Sequence, residues 1–182
     1  MQTAKIASAA AILFLFSLTV SYGVDVAKIG VVDFQRILKV SSAGKSAQAE
    51  IKSQGEKMET DLKKKGSELE ELKKRFEREA LVMSKEMREE KEREFRIKIN
   101  DFKSLEKKYK EEFKVLNNRL VNRIKKDVFE LIEEMGKKEG YLLIVEKWEA
   151  GVVYSPTSID ITDKLIPQYN DKVARQAKKD KR

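Results

Sequence analysis

Ala43-Gly44-Lys45-Ser46 carries the residue types of a phosphate cradle: a glycine, then a lysine and a hydroxyl. A full cradle needs another glycine five residues before Gly44, so that backbone N–H groups converge on the anion, and a parallel sheet to hold the loop. The chain has Lys39 at that position, so the tetrapeptide is not a nucleotide site. The sequence contains no Cys and no His. That removes thiol nucleophiles, disulfides and the commonest zinc and general-base ligands. The remaining acid–base groups are 31 Asp and Glu, set among 39 Lys and Arg. They lie beside lysines on polar faces, and nothing pairs two carboxylates in an apolar pocket where their pKa values would move toward catalysis. The reading is a protein that is not an enzyme and carries no cofactor or metal. Its chemistry must lie in its surfaces.

Those surfaces are charged. Asp, Glu, Lys and Arg make up 38% of the 182 residues, and aromatics only 8%. A composition so charged and so poor in Gly and Pro points to long helices or coiled coil. The net charge of +8 favours acidic partners: nucleic acid, anionic lipid headgroups or an acidic protein. Lys63–Lys65, Lys73–Arg75 and the C-terminal Lys178–Arg182 are basic clusters, and in long charged helices such clusters are ordinarily solvated faces. The N-terminus adds a location. A lysine at position 5 precedes the apolar and small stretch Ile6–Val20, followed by Ser21-Tyr22-Gly23. This is the layout of a secretory signal peptide cleaved after Gly23; fifteen residues fall short of the roughly 20 that a spanning helix needs. The mature chain then works outside the cytoplasm, where nucleic acid is not an expected partner.

Residues 28–33 read as a short strand, Phe34–Val40 as a short helix, and Ser41–Gly44 as a turn whose serines can cap the next helix. From Gly44 to Met135 apolar residues recur mostly three, four or seven apart: Ile51, Met58, Leu62, Leu69, Leu72, Phe76, Ala80, Met83 and Met87, then Phe95, Ile99, Phe102, Tyr109, Phe113 and onward. That spacing marks a thin coiled-coil stripe, able to pair with one partner helix. Glu–Lys or Glu–Arg pairs such as Glu59/Lys63, Glu70/Lys74 and Glu92/Arg96 fill the outer face. Two architectures fit. One is a single rod of about 135 Å paired with a second chain, and no Gly or Pro between Ser67 and Met135 would interrupt it. The other is an antiparallel hairpin. It is favoured by the four consecutive apolar or small residues Ala80–Met83, by Ser84 as a cap for a new helix, and by seven charged residues in a row at Arg88–Glu94, where the two stripes fall out of step. The bend is placed within 80–85.

Beyond Gly136 and Gly140, Tyr141–Lys147 reads as a buried strand, Glu149–Gly151 as a turn, and Val152–Ser155 as a second strand completing a β-hairpin. A short helix follows, capped by Asp160 or Thr162, with Pro167 ending or kinking it unless it falls in the first turn. Residues 172–182 read as a disordered basic tail. The fold class is therefore mostly α with a small β body: 24–43 and 136–171 form the body, and 44–135 form a long helical arm inserted between them.

Lys28–Leu38 (KIGVVDFQRIL), Met58–Leu62 (METDL), and YLLIVEK, GVVYS and DITDKL toward the C-terminus resemble, in order, the Skp/OmpH family of periplasmic chaperones. The likeness covers nearly all the mature chain. It implies a homotrimer with a small β-rich body and three helical hairpin arms. It also implies an ATP-independent periplasmic holdase that keeps unfolded outer-membrane proteins from aggregating between the arms. Anionic lipid or lipopolysaccharide is a further partner to consider. The other function weighed is a structural or adaptor coiled coil of the cell envelope. On the chaperone reading, Leu81, Val82, Met83, Met87, Phe76 and Phe95 are the client-binding candidates, and Ile29, Val31, Leu142, Ile144 and Val152 are the candidates for the oligomerisation body.

Overall fold

The structure is a computed structural model that describes residues 27–179. The segment 1–23, expected to be a signal peptide, lies outside the described residues, as do the last three residues of the basic C-terminus. The elements are β1 (Ile29–Val32), α1 (Phe34–Val40), α2 (Ser42–Glu79), α3 (Lys85–Glu139), β2 (Leu143–Glu146), a 3-10 turn (Thr157–Ile159) and α4 (Thr162–Lys179).

Local chemistry starts and stops each element. Asp33 caps α1, its carboxylate accepting from the Arg36 N–H at 2.9 Å. Ser41 then serves two helices: its backbone N–H donates to the Ile37 carbonyl, and its hydroxyl accepts from the Gly44 N–H at 3.1 Å. A buried serine can be tolerated here because both groups are satisfied. Gly140 closes α3 in the left-handed conformation, φ 69°, which glycine adopts without a Cβ penalty.

The body is built from both ends of the chain. β1 and β2 pair in parallel, Ile29 opposite Leu143 and Val32 opposite Glu146, so the connection between two adjacent strands is the whole arm. On the other edge of β1, the Ile161 N–H donates to the Val31 carbonyl at 2.9 Å. The core below takes Ile37 from α1, Val128 from α3, and Leu165 and Tyr169 from α4, all essentially sealed from water. Polar clasps join the termini: Asp33 N–H to Thr162 Oγ1 at 2.9 Å, and Ser42 N–H to Asn170 Oδ1 at 2.8 Å.

Three expectations differ from this body. The predicted β-hairpin of Tyr141–Lys147 with Val152–Ser155 does not form; Val152–Ser155 is not a strand. The Glu146 carboxylate is the reason. It accepts from the backbone N–H groups of Trp148 and Glu149, at 2.7 and 2.6 Å, and from that of Phe34 at 3.1 Å. These bonds curl the chain sharply after β2 and tie it to the start of α1, leaving Val153 and Tyr154 no ladder. The tail predicted from residue 172 is instead helical through Lys179, because Val173 packs on the core and Lys172 reaches Glu130 at 3.3 Å. Pro167 does not end the helix either. Leu165, Ile166 and Tyr169 are buried on both sides of it, and their burial offsets the roughly 3 kcal/mol that an interior proline costs.

The arm is α2 against the outer part of α3, antiparallel. Its 38-residue α2 spans about 57 Å. Ile51, Met58, Leu62, Leu69, Leu72 and Phe76 are half-buried along one stripe of α2, and Phe95, Ile99, Phe102 and Leu105 along the facing stripe. The chain reverses at Ala80–Ser84 without Gly or Pro. Ser84 is extended, φ −63° and ψ 162°, and its hydroxyl accepts from the Met87 N–H at 3.3 Å. The Arg88 guanidinium donates back to the Ala80 carbonyl at 2.7 Å. One extended residue and two caps are enough to turn the chain, since the helix ends must satisfy their free N–H and C=O groups in any case.

Candidate functional site

Among the described residues no three Asp or Glu side chains come together in a way that could hold a metal ion. The carboxylates whose acidity is shifted sit on the surface beside lysines. Hydrogen bonds from Lys74, Lys91 and Lys137 hold Glu70, Glu94 and Glu133 below the ordinary carboxylate value. Glu139 is the one with a structural task. Lys164 lowers its pKa first, by a hydrogen bond; burial partly opposes this, and Lys28 adds a second bond. Lys28 also donates to the Glu139 backbone carbonyl at 3.0 Å. Two lysines thus answer a carboxylate at the end of a helix, where the dipole disfavours negative charge. A folded pKa below the unfolded one stabilises above the unfolded value, near pH 4.5, and is lost as pH falls through the depressed folded value. Glu139→Gln should therefore lower the urea midpoint more at pH 7 than in acid below pH 4.5. An equal deficit at pH 7 and in acid would mean that the ion pairs are not the cause.

Apolar exposure is highest in two places. At the arm tip, Leu81 and Val82 are 86% and 88% exposed. Met87 is exposed beside them, and Met83 is half-buried under the turn. Four of the six client-binding candidates are therefore gathered at one end of the arm. Phe76 and Phe95 are half-buried in the seam below, and their rings serve first to hold α2 on α3.

The second place is the outer side of the body. Leu142 is 74% exposed and Ile29 and Leu143 are also open, whereas Val31 is buried under the sheet. Ile144 and Val152 are half-buried. Of the five body candidates, then, Ile29 and Leu142 face outward, Ile144 and Val152 lie at the margin, and Val31 belongs to the core. Sequence reasoning missed Val153, fully exposed, with Tyr154 and Trp148 beside it in chain order and open as well. The signal was present in the run Val152-Val153-Tyr154. It reads as the second strand of a hairpin because the lack of a partner edge is invisible in sequence.

A family model described as "Outer membrane protein (OmpH-like)" matches residues 28–169. Among solved structures, the chain is similar to one from Caulobacter crescentus described as a candidate OmpH-like outer membrane chaperone. The TM-score is 0.73 at 14% identity, over 80% of this chain and 85% of that one. At that identity the likeness is one of fold. No curated protein sequence matches the chain.

Proposed function

Because the chain belongs to the family of OmpH-like outer membrane proteins, we propose that it is a periplasmic chaperone. It holds unfolded outer-membrane proteins between the helical arms of a homotrimer, without ATP, and prevents their aggregation. The observation that carries this reading is the arm itself: a long two-helix projection with a thin seam and two almost naked apolar residues at its tip.

An unfolded β-barrel chain presents alternating apolar residues that aggregate unless covered. A holder must cover them weakly and in many registers, since tight binding would block release. Leu81, Val82, Met83 and Met87 suit that role, methionine being adaptable in shape. The positive charge of the chain attracts acidic clients at long range, an effect that fades with salt. The trimer is supported by the body's outer side. Among the described residues its parallel pair leaves one edge of β2 unpaired, beside exposed Leu142 and Leu143. Unpaired edges and apolar patches of this kind are normally covered.

The direct test dilutes a urea-unfolded outer-membrane protein into buffer with the mature chain and follows light scattering. Suppression at one trimer per client is expected; none at that ratio would refute the holdase and leave an adaptor coiled coil. Leu81→Ser/Val82→Ser/Met83→Ser together should leave helix content unchanged and weaken client retention roughly tenfold, about 1.4 kcal/mol. A large drop in the 222 nm signal would instead place these residues in the seam.

A further inference from the structure

The two helices of the arm are not joined in the same way along their length. Near the body, specific devices hold α2 against α3. Gly55 leaves a notch for Phe113, and a Cβ there would come within 3.1 Å of the ring. Eleven residues further on, Gly66 faces Phe102, whose ring lies 3.9 Å from where a Cβ would stand. Between them the Tyr109 hydroxyl donates to the Asp61 carboxylate at 2.8 Å, both residues being half-buried. Eleven residues are just over three full turns, so features at that spacing return to one face of a helix. Phe113 and Phe102 are also eleven apart, so each glycine faces a ring, closely at Gly55 and at ordinary contact distance at Gly66. The Gly55 notch and the Tyr109–Asp61 bond specify register. A slip would drive a ring against a side chain where a notch is needed, and would leave a seam carboxylate without its donor.

Past Gly66 the pattern stops. The next step of the repeat is Glu77 in α2 and Lys91 in α3, both exposed. Among the described residues, no hydrogen bond or ion pair crosses from α2 to α3 between Gly66 and the Ala80 carbonyl at the tip. The pairs in that stretch run within one helix, as in Glu70–Lys74 at 2.8 Å, Lys73–Glu77 at 3.8 Å and Lys91–Glu94 at 2.9 Å. A cleft of about 500 Å³ opens between the helices at this boundary, lined in part by Leu69, Leu72, Phe102 and Leu105.

We propose that the arm has two mechanical parts. The inner stalk, up to Gly66 and Phe102, holds α2 and α3 in one register. In the outer blade the two helices slide and part while the tip turn stays closed. Apolar contact is non-directional, so Leu69, Leu72 and Phe76 attract the facing helix without choosing a register. The ion pairs within each helix keep it straight, and the freedom therefore lies between the helices rather than inside them. The inference does not depend on what the arm holds.

The chain has no Cys, so spin-label pairs can be placed at will. Lys57→Cys/Glu111→Cys reports on the stalk and Arg75→Cys/Arg93→Cys on the blade, all four positions being exposed. Labelled chain is diluted with unlabelled chain and distances are measured by double electron–electron resonance. The blade distribution is expected to be at least about twice as wide as that of the stalk, as for a region of lower local stability. Equal widths, or a wider stalk, would overturn the proposal. Adding Asp61→Leu/Tyr109→Phe should broaden the stalk distribution and leave the blade unchanged, with helix content constant by circular dichroism. A stalk that stays narrow without this pair would overturn the role of the Tyr109–Asp61 bond in setting the register.

Discussion

Gly44→Ala is expected to destabilise the body by more than the roughly 1–3 kcal/mol that overpacking a core ordinarily costs. A Cβ at that position would clash with the Leu38 carbonyl oxygen and stand 2.7 Å from its carbon. Those are backbone atoms of α1, and they cannot rotate away as a side chain can. Either α1 shifts from the core, taking the buried Ile37 with it, or Ser41 gives up the cap it makes to Gly44. The same substitution elsewhere in α2 supplies the control. At Gly55 the new methyl would meet the edge of the Phe113 ring at 3.1 Å. A ring yields by tenths of an ångström, and the gain in helix propensity of about 0.5–1 kcal/mol should nearly cancel the contact. At Gly66 the methyl falls at an ordinary 3.9 Å from Phe102, so Gly66→Ala should stabilise the chain by that propensity gain. Urea unfolding at one fixed protein concentration measures all three. If Gly44→Ala matched Gly66→Ala, the corner between α1 and α2 would be looser than described.

The second large effect concerns the body's open side. On the trimer reading, Leu142→Asp/Val153→Asp should give a monomer with unchanged helix content and little remaining ability to suppress client aggregation. Both side chains are open in the single chain, Leu142 at 74% and Val153 at 101%. Two carboxylates there cost the isolated body almost nothing. In an interface, each uncompensated charge costs about 3–5 kcal/mol, and a closed ring repeats that cost at every junction. Native mass spectrometry gives the assembly state and light scattering gives the activity. A trimer that survives both substitutions would move the interface elsewhere. A monomer that still protects clients would separate holding from assembly.

The stripes of the arm were legible in sequence because a helix converts spacing into a face, and Leu69, Leu72 and Phe76 declare that face whatever surrounds them. The body was less legible. Tyr141–Lys147 was recognised as a strand and placed in one body with residues 28–33, but its direct parallel pairing with Ile29–Val32, more than a hundred residues away, could not be told from a hairpin with the nearby Val152–Ser155, which has equal strand character. Pro167 and the lysines after it read as an ending. They became a helix only because Leu165, Ile166 and Tyr169 found a core. The surfaces proposed to bind followed the same division. Leu81 and Val82 could be picked out as apolar residues amid charge, whereas Val153 could not be told from an interior strand residue.

By itself, then, the amino-acid sequence determined the helical arm, its charged outer face and the absence of thiol and imidazole chemistry, all of which are local or compositional properties. Tertiary structure alone decided that β1 pairs with β2 in parallel, that Glu146 curls the chain away from a hairpin, and that Gly55 and Gly66 stand opposite Phe113 and Phe102. Each of these rests on which distant residues meet. Periodicity along one chain says which face of a helix is apolar, but the register between two faces is settled only when they are packed together.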